Sequence, residues 1–132
     1  MIRISKLSDY GAMIMVYLTK NKEEWMSARD IARDTHLQMP TVSKLLKKLA
    51  SGGLLESSRG VHGGYRLQRE AASISIADII NALEDKKGLV ECTAQHNSCS
   101  LQHVCSVQTN WRMISTVVEN ALSTVTLQHL IQ

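Results

Sequence analysis

Apolar residues recur along this chain at helical spacing almost throughout, with one central stretch of shorter period. From Tyr10 the positions Tyr10, Met13, Ile14, Tyr17 and Leu18 fall on one helical face, with Ser5 or Ser8 as the cap. After the polar connector "NKEEW", Ser27 and Asp30 make a capping-box-like start to a short helix that turns Ala28, Ile31 and Ala32 inward. "THLQMP" then turns the chain. Pro40 suits the first position of a new helix, where a missing N–H leaves nothing unsatisfied. Over residues 41–50, Val42, Leu45, Leu46 and Leu49 form one apolar stripe and leave Thr41, Ser43, Lys44, Lys47 and Lys48 pointing out. The Gly52–Gly53 pair ends that helix.

Two short extended pieces follow, "LLESS" and "YRLQ", joined by "RGVHGG". Three glycines in six residues mark a tight reversal, so this segment reads as a β-hairpin. A further helix starts at Ser75, with Asp78 completing its cap and Ile76, Ile79, Ile80 and Leu83 buried. Beyond a polar loop, Val104, Val107, Trp111, Ile114, Val118 and Ala121 alternate spacings of three and four, a heptad seam that calls for a helix partner. The tail "TVTLQHLIQ" reads as a β-branched break and a last helical turn.

Two helices joined by a tight turn, the second basic, followed by a glycine-tipped hairpin, are the order of a winged helix-turn-helix. The expected fold is mainly α, with a winged helix-turn-helix DNA-binding domain over residues 1–85. A cysteine loop over 86–106 and a long C-terminal dimerisation helix with its turn over 107–132 complete it. A helix with an apolar inner stripe can turn its polar face to a major groove, which is about one helix wide. Thr41, Ser43 and Lys44 lie near the N-terminus, where base edges are reached, and Lys47 and Lys48 are placed for phosphates. At the hairpin tip Arg59 and His62 flank glycines that let the backbone approach a phosphate or enter a minor groove.

Charge agrees with that reading. Residues 1–70 carry twelve Lys or Arg against seven acids, a net of +5, while residues 71–132 carry three against five, a net of −2. Between Lys44 and Arg69 there are six basic residues and one acid, Glu56, which points to a polyanionic partner such as a double-stranded DNA operator. No run approaches the roughly 20 apolar residues of a membrane span. The opening "MIRISKLSDY" has no apolar core of a signal peptide, so a cytoplasmic location without membrane contact is expected. No Ser–His–Asp set or paired carboxylates appear, and "RGVHGG" lacks the Lys–Ser/Thr of a phosphate loop, so no enzyme is expected.

All three cysteines, Cys92, Cys99 and Cys105, fall in the segment "VECTAQHNSCSLQHVC". An odd number of thiols in a reducing compartment argues against a structural disulfide. Thiolates select iron–sulfur clusters, zinc or copper(I). With six residues between the first pair and five between the second, no Cys-x-x-Cys exists, which disfavours a zinc knuckle and suits a wide loop around a cluster. Three thiolates leave one coordination site open. A zinc or thiol site with no cluster is the competing possibility.

The chain resembles, along nearly its whole length, the Rrf-two (Rrf2) family of bacterial transcription regulators. The carrying residues are "LSDYGAMIMVYL", "SARDIARDTHLQMPTVSKLLKKLASGGLL", the wing "SRGVHGGYRL", then "SISIADIINALE", the three-cysteine loop and "TLQHLI". The opening "RISKLSDYG" looks closest to the subgroup that regulates the SUF system of iron–sulfur assembly. The resemblance implies a homodimer with crossing C-terminal helices and an iron–sulfur cluster (2Fe-2S or 4Fe-4S) in each cysteine loop, whose status changes DNA affinity. A nitric-oxide or redox-sensing repressor of the same family is the alternative. The family's assembly regulators take a fourth ligand from a histidine three residues after the last cysteine; here that position is Gln108. Its nitric-oxide sensors take an early aspartate from the partner subunit, and Asp9 occupies that place. The fourth ligand therefore stands open between Asp9, His103 and His96, in that order, although a helix N-terminal charge alone would account for Asp9.

Overall fold

Serine caps set the starts of three of the helices. In the computed structural model, which describes residues 3–85, 88–90, 93, 99–101 and 103–132, α1 runs over Lys6–Lys20 behind Ser5. The Ser5 hydroxyl accepts from the Ser8 N–H at 3.2 Å, satisfying one of the donors a helix start leaves open. Helix α2, Ala28–Thr35, begins at Ser27 in the same way, with the Asp30 N–H at 3.1 Å. Helix α4, Ile76–Leu83, has a reciprocal capping box between Ser75 and Asp78. Helix α3, Met39–Ser51, starts one residue before Pro40 and has no side-chain cap.

The turn between α2 and α3 is made by His36, at φ 61° in the left-handed region. Gly52 and then Gly53, at φ 78°, end α3 and release the chain into a two-stranded antiparallel hairpin, β1 Leu55–Ser58 and β2 Gly64–Leu67. Met26 adds a bridge to that hairpin, exchanging two backbone hydrogen bonds with Tyr65 at 3.0 and 2.8 Å. The approach is so close that a Cβ on Gly64 would lie 2.4 Å from the Met26 carbonyl oxygen, which is why glycine stands there. A short 3-10 turn, Ala71–Ser73, leads into α4.

The core sits where α1, α2, α3, α4 and the hairpin converge. Ile14, Leu18, Ile31, Val42, Leu45, Leu46, Leu49, Leu54, Leu55, Ile74, Ile79 and Leu83 are all buried in it. The whole predicted stripe of α3 is inside. On α1 the buried side is rotated from the expected one: Ser8, Gly11 and Met15 are buried, whereas Met13 is exposed. Gly11 packs against Leu83 so closely that a Cβ would meet Leu83 Cδ1 at 2.1 Å, and this contact decides which side of α1 faces in. Ile76 and Ile80, expected inside, are half-buried along a groove beside α5.

Helix α5, Gln108–Thr124, contains no buried residue. Val104 lies outside it, in a turn closed by its own N–H on the Leu101 carbonyl at 3.0 Å, so the helical seam starts after Val107. The C-terminal end does not form a separate unit. Ser75 and Thr126 make an isolated bridge, the Ile76 N–H donates to the Val125 carbonyl at 2.9 Å, and the Leu127 N–H to the Ile74 carbonyl at 3.0 Å. The last turn, α6 Leu127–Leu130, thereby places Leu127 at 0% exposure inside the winged domain's core.

Leu127→Ala should therefore lower stability by about 2–5 kcal/mol, the usual cost of truncating a fully buried leucine. It should appear as a reduced urea midpoint with an unchanged denaturant slope. Ser75→Ala should cost about 1 kcal/mol by opening the capping box, measured the same way; no change would mean that Asp78 alone satisfies the start of α4.

Candidate nucleic-acid interface and thiol loop

Burying one stripe of α3 dictates what the opposite side offers. Lys44 and Lys47 are exposed there, and Thr41 and Ser43 are half-exposed. The first turn adds two residues that the sequence reading left in the connector: Gln38 at the N-cap and Met39, both exposed. Reading Pro40 as the first helical residue hid them, since the helix begins one position earlier. Arg29, exposed on α2 and without an ion pair among the described residues, is a further unassigned cation. The first helix of a helix-turn-helix crosses the sugar-phosphate backbone, so its position fits a phosphate contact.

Lys48 lies apart from Lys44 and Lys47. Its ammonium turns toward the end of α4, 3.4 Å from the Leu83 carbonyl and 3.2 Å from Asp85 Oδ1, instead of standing with Lys44 and Lys47. Lys48 is about 100° of helix rotation on from Lys47 and shares its side of α3 with Gly52, which packs against Ala82 of α4. Arg33 is likewise engaged, its Nε donating to Asp34 at 2.9 Å and its Nη1 pairing with Asp30 at 3.2 Å.

That cluster braces the helix-turn-helix. The Tyr17 hydroxyl on α1 donates to Asp34 Oδ2 on α2 at 2.6 Å. Burial, then the hydrogen bond and negative charge of Asp34, push the Tyr17 phenol above its ordinary range. Asp34 is held below the usual carboxylate range, first by Arg33 and then by the Tyr17 hydroxyl.

On the wing, Arg59 and His62 are exposed where the sequence puts them, with Gly60 at φ 108° between the strand and the tip. Val61 stands 97% exposed beside them, an apolar side chain at the tip. Arg66 is not part of that surface: its Nε donates to Glu56 at 2.5 Å, and its guanidinium lies 4.1 Å from the Trp25 ring centroid. This stiffens the base of the hairpin and leaves Arg59 as its outer cation.

The thiol loop joins α4 to α5. Cys99 and Cys105 are both part-exposed, and Cys105 lies two residues before the α5 N-cap, Val107. Cys92 and His96 lie outside the described residues. His103 is exposed within the loop, and Asp9 is exposed in the first turn of α1. Among the described residues no three His, Cys, Asp or Glu side chains come together at a metal-binding separation within one chain. Two grooves follow α1 and share Asp9 and Ala12. One, about 300 Å³, runs between α1, α4 and α5 past Ile4, Ile80 and Leu122; the other, about 440 Å³, lies beside Met13, Val16 and Tyr17. Among the described residues no helix is long and apolar enough to cross a membrane.

Comparison with known proteins agrees with this architecture. The model of the Rrf2 family, described as an iron-dependent transcriptional regulator, matches residues 4–132. The chain is 29% identical over 132 residues to the HTH-type transcriptional regulator NsrR of Bacillus licheniformis, covering 98% of this chain and 92% of that protein. Among solved structures it is similar to CymR, the global cysteine regulator of B. subtilis, with a TM-score of 0.78 at 30% identity over 99% of this chain and 97% of that one. It is also similar to T. potens IscR, with a TM-score of 0.76 at 30% identity, covering 98% and 86% respectively. The relatives are named as regulators, not as enzymes. A winged helix-turn-helix with an exposed basic recognition face, matched by the family model over nearly its full length, places this chain in the Rrf2 family of DNA-binding transcriptional regulators.

Proposed function

We propose that this protein is a cytoplasmic homodimeric regulator whose operator affinity is set by an iron–sulfur cluster bound to Cys92, Cys99 and Cys105, and that it controls iron–sulfur assembly genes of the SUF type. One observation carries the reading: two part-exposed thiols, Cys99 and Cys105, lie shortly before a long helix on which Trp111, Met113, Ile114 and Val117 stand exposed. The donor set fits such a group, because thiolates at wide spacing suit a cluster and Cys99 and Cys105 are part-exposed. When bound, the cluster adds a redox- and ligand-sensitive charge at the root of α5.

A second copy of this chain is the natural partner for α5. Val107, Trp111, Ile114 and Val117 are exposed large apolar residues in sequence, and the groove beside Ile4, Ala12 and Ile80 is an apolar surface of matching kind. Asp9 lines that groove, which favours it over His103 as a ligand offered across the dimer to the other subunit's loop. DNA binding then rests on Thr41, Ser43 and Lys44 for base edges, on Lys47 for phosphate and on Arg59 and His62 in the wing. Two-fold symmetry gives a near-palindromic operator with half-sites about one helical turn (~10 bp) or a multiple apart. A second reading has an observation behind it. Likeness to Staphylococcus aureus CymR, solved in an oxidized form, supports a thiol-based regulator without a cluster.

Anaerobic purification followed by iron and sulfide analysis separates the two readings. A brown protein with visible absorption is expected, and a colourless one after reconstitution would leave the thiol-based regulator. Cys92→Ser, Cys99→Ser and Cys105→Ser should each strip or destabilise the cluster. Asp9→Ala should change its spectrum while light scattering still reports a dimer, and His103→Ala should do little; the reverse pattern would move the ligand to His103. Lys47→Ala should weaken binding to all duplexes and reduce the salt slope by about one unit, the signature of one lost phosphate contact. Arg59→Ala should cost more operator affinity than Lys47→Ala at physiological salt, because an arginine in a narrow minor groove meets a focused negative potential.

A further inference from the structure

The root of the thiol loop is gripped by the recognition helix itself. Helix α4 ends at Leu83, and its terminal carbonyls have no intrahelical partner and carry the negative end of the helix dipole. Lys48 of α3 answers that end, donating to the Leu83 carbonyl and pairing with Asp85 two residues farther on. Its side chain is 26% exposed and that of Asp85 is 90% exposed, so the ion pair alone is weak. Backbone packing supplies the rest. At the end of α3, Gly52 lies against Ala82 so closely that an added Cβ would sit 2.8 Å from the Ala82 Cβ. From the other side, Glu84 accepts hydroxyl hydrogen bonds from Ser5 and Ser8, at 2.7 Å from Ser8, in the first turn of α1.

Residues 82–85 are thus held between the end of α3 and the start of α1, immediately before the chain enters the thiol loop. A packed helix moves as a body, so a displacement at its last turn reaches its DNA-facing side chains. We propose that Lys48 is a positioning residue, not a phosphate contact: it ties α3 to the root of the thiol loop, so that the state of the loop sets how α3 is presented to DNA. The proposal rests on the reading above that a loop-bound cluster governs operator affinity, and it names the contact through which that influence reaches the recognition helix.

The test uses full-length protein and a duplex selected by the parent from a randomised library. Dissociation constants are measured against salt for the cluster-loaded form and for the Cys92→Ser form of each variant. Lys47→Gln should lower the salt slope by about one unit in both forms and keep the parent's affinity ratio between them. Lys48→Gln should leave both slopes within a few tenths of the parent and reduce the ratio several-fold. Lys48→Arg should preserve the ratio, and Asp85→Asn, on an exposed side chain that the fold does not need, should reduce it partway. A slope lowered by one unit in Lys48→Gln would make Lys48 a phosphate contact and overturn the proposal. So would an undiminished ratio in that variant. Equal binding by the two parent forms would overturn the cluster reading itself, and this proposal with it.

Discussion

The seating of α3 governs everything else in this molecule. Val42, Leu45, Leu46 and Leu49 all lie at 0% exposure, so the helix has one rotational setting in which its apolar stripe is satisfied. Full burial of each such side chain contributes roughly 1.5–3 kcal/mol, far more than any exposed lysine gains by facing another way. The basic surface is therefore a by-product of core packing. Lys44 and Lys47 face solvent because the leucines cannot.

The same constraint reaches the rest of the domain through close backbone contacts. Gly11, Gly52 and Gly64 each stand where a Cβ would collide with a neighbouring element, against Leu83, Ala82 and Met26 respectively. The first sets α1 against the end of α4, the second sets α3 against α4, and the third draws the wing onto the connector before α2. Each is a point where two elements approach more closely than side chains permit. Together with the Tyr17–Asp34 brace they make the winged domain a single packed body. The thiol loop and α5 are tied to that body at residues 82–85, along α4, and at the Ile74–Leu127 pairing.

Between those ties α5 is the least satisfied element. None of its residues is buried, and Trp111, Met113, Ile114 and Val117 are among the chain's exposed large apolar residues. A helix with such a face is stable in isolation only marginally, since most helical stability in proteins comes from packing of an amphipathic face. Its N-cap, Val107, lies two residues after Cys105.

Most of the helices could be read from the sequence because their signals are local. Ser27 and Ser75 cap the helices that follow them, Ser5 rather than Ser8 caps α1, and the stripe of α3 and the glycine-tipped hairpin depend on neighbours only a few residues away. So could the outward faces of Lys44, Lys47, Arg59 and His62, each set by the apolar or glycine pattern around it. What the sequence left open was decided by contacts between residues far apart in the chain. The buried side of α1 depends on Gly11 meeting Leu83, and the docking of the C-terminal turn on Leu127 finding Ile74. Lys48 belongs to the same class. On a helical wheel it is one more outward lysine, and only the end of α4, some thirty-five residues on, draws its ammonium to the Leu83 carbonyl.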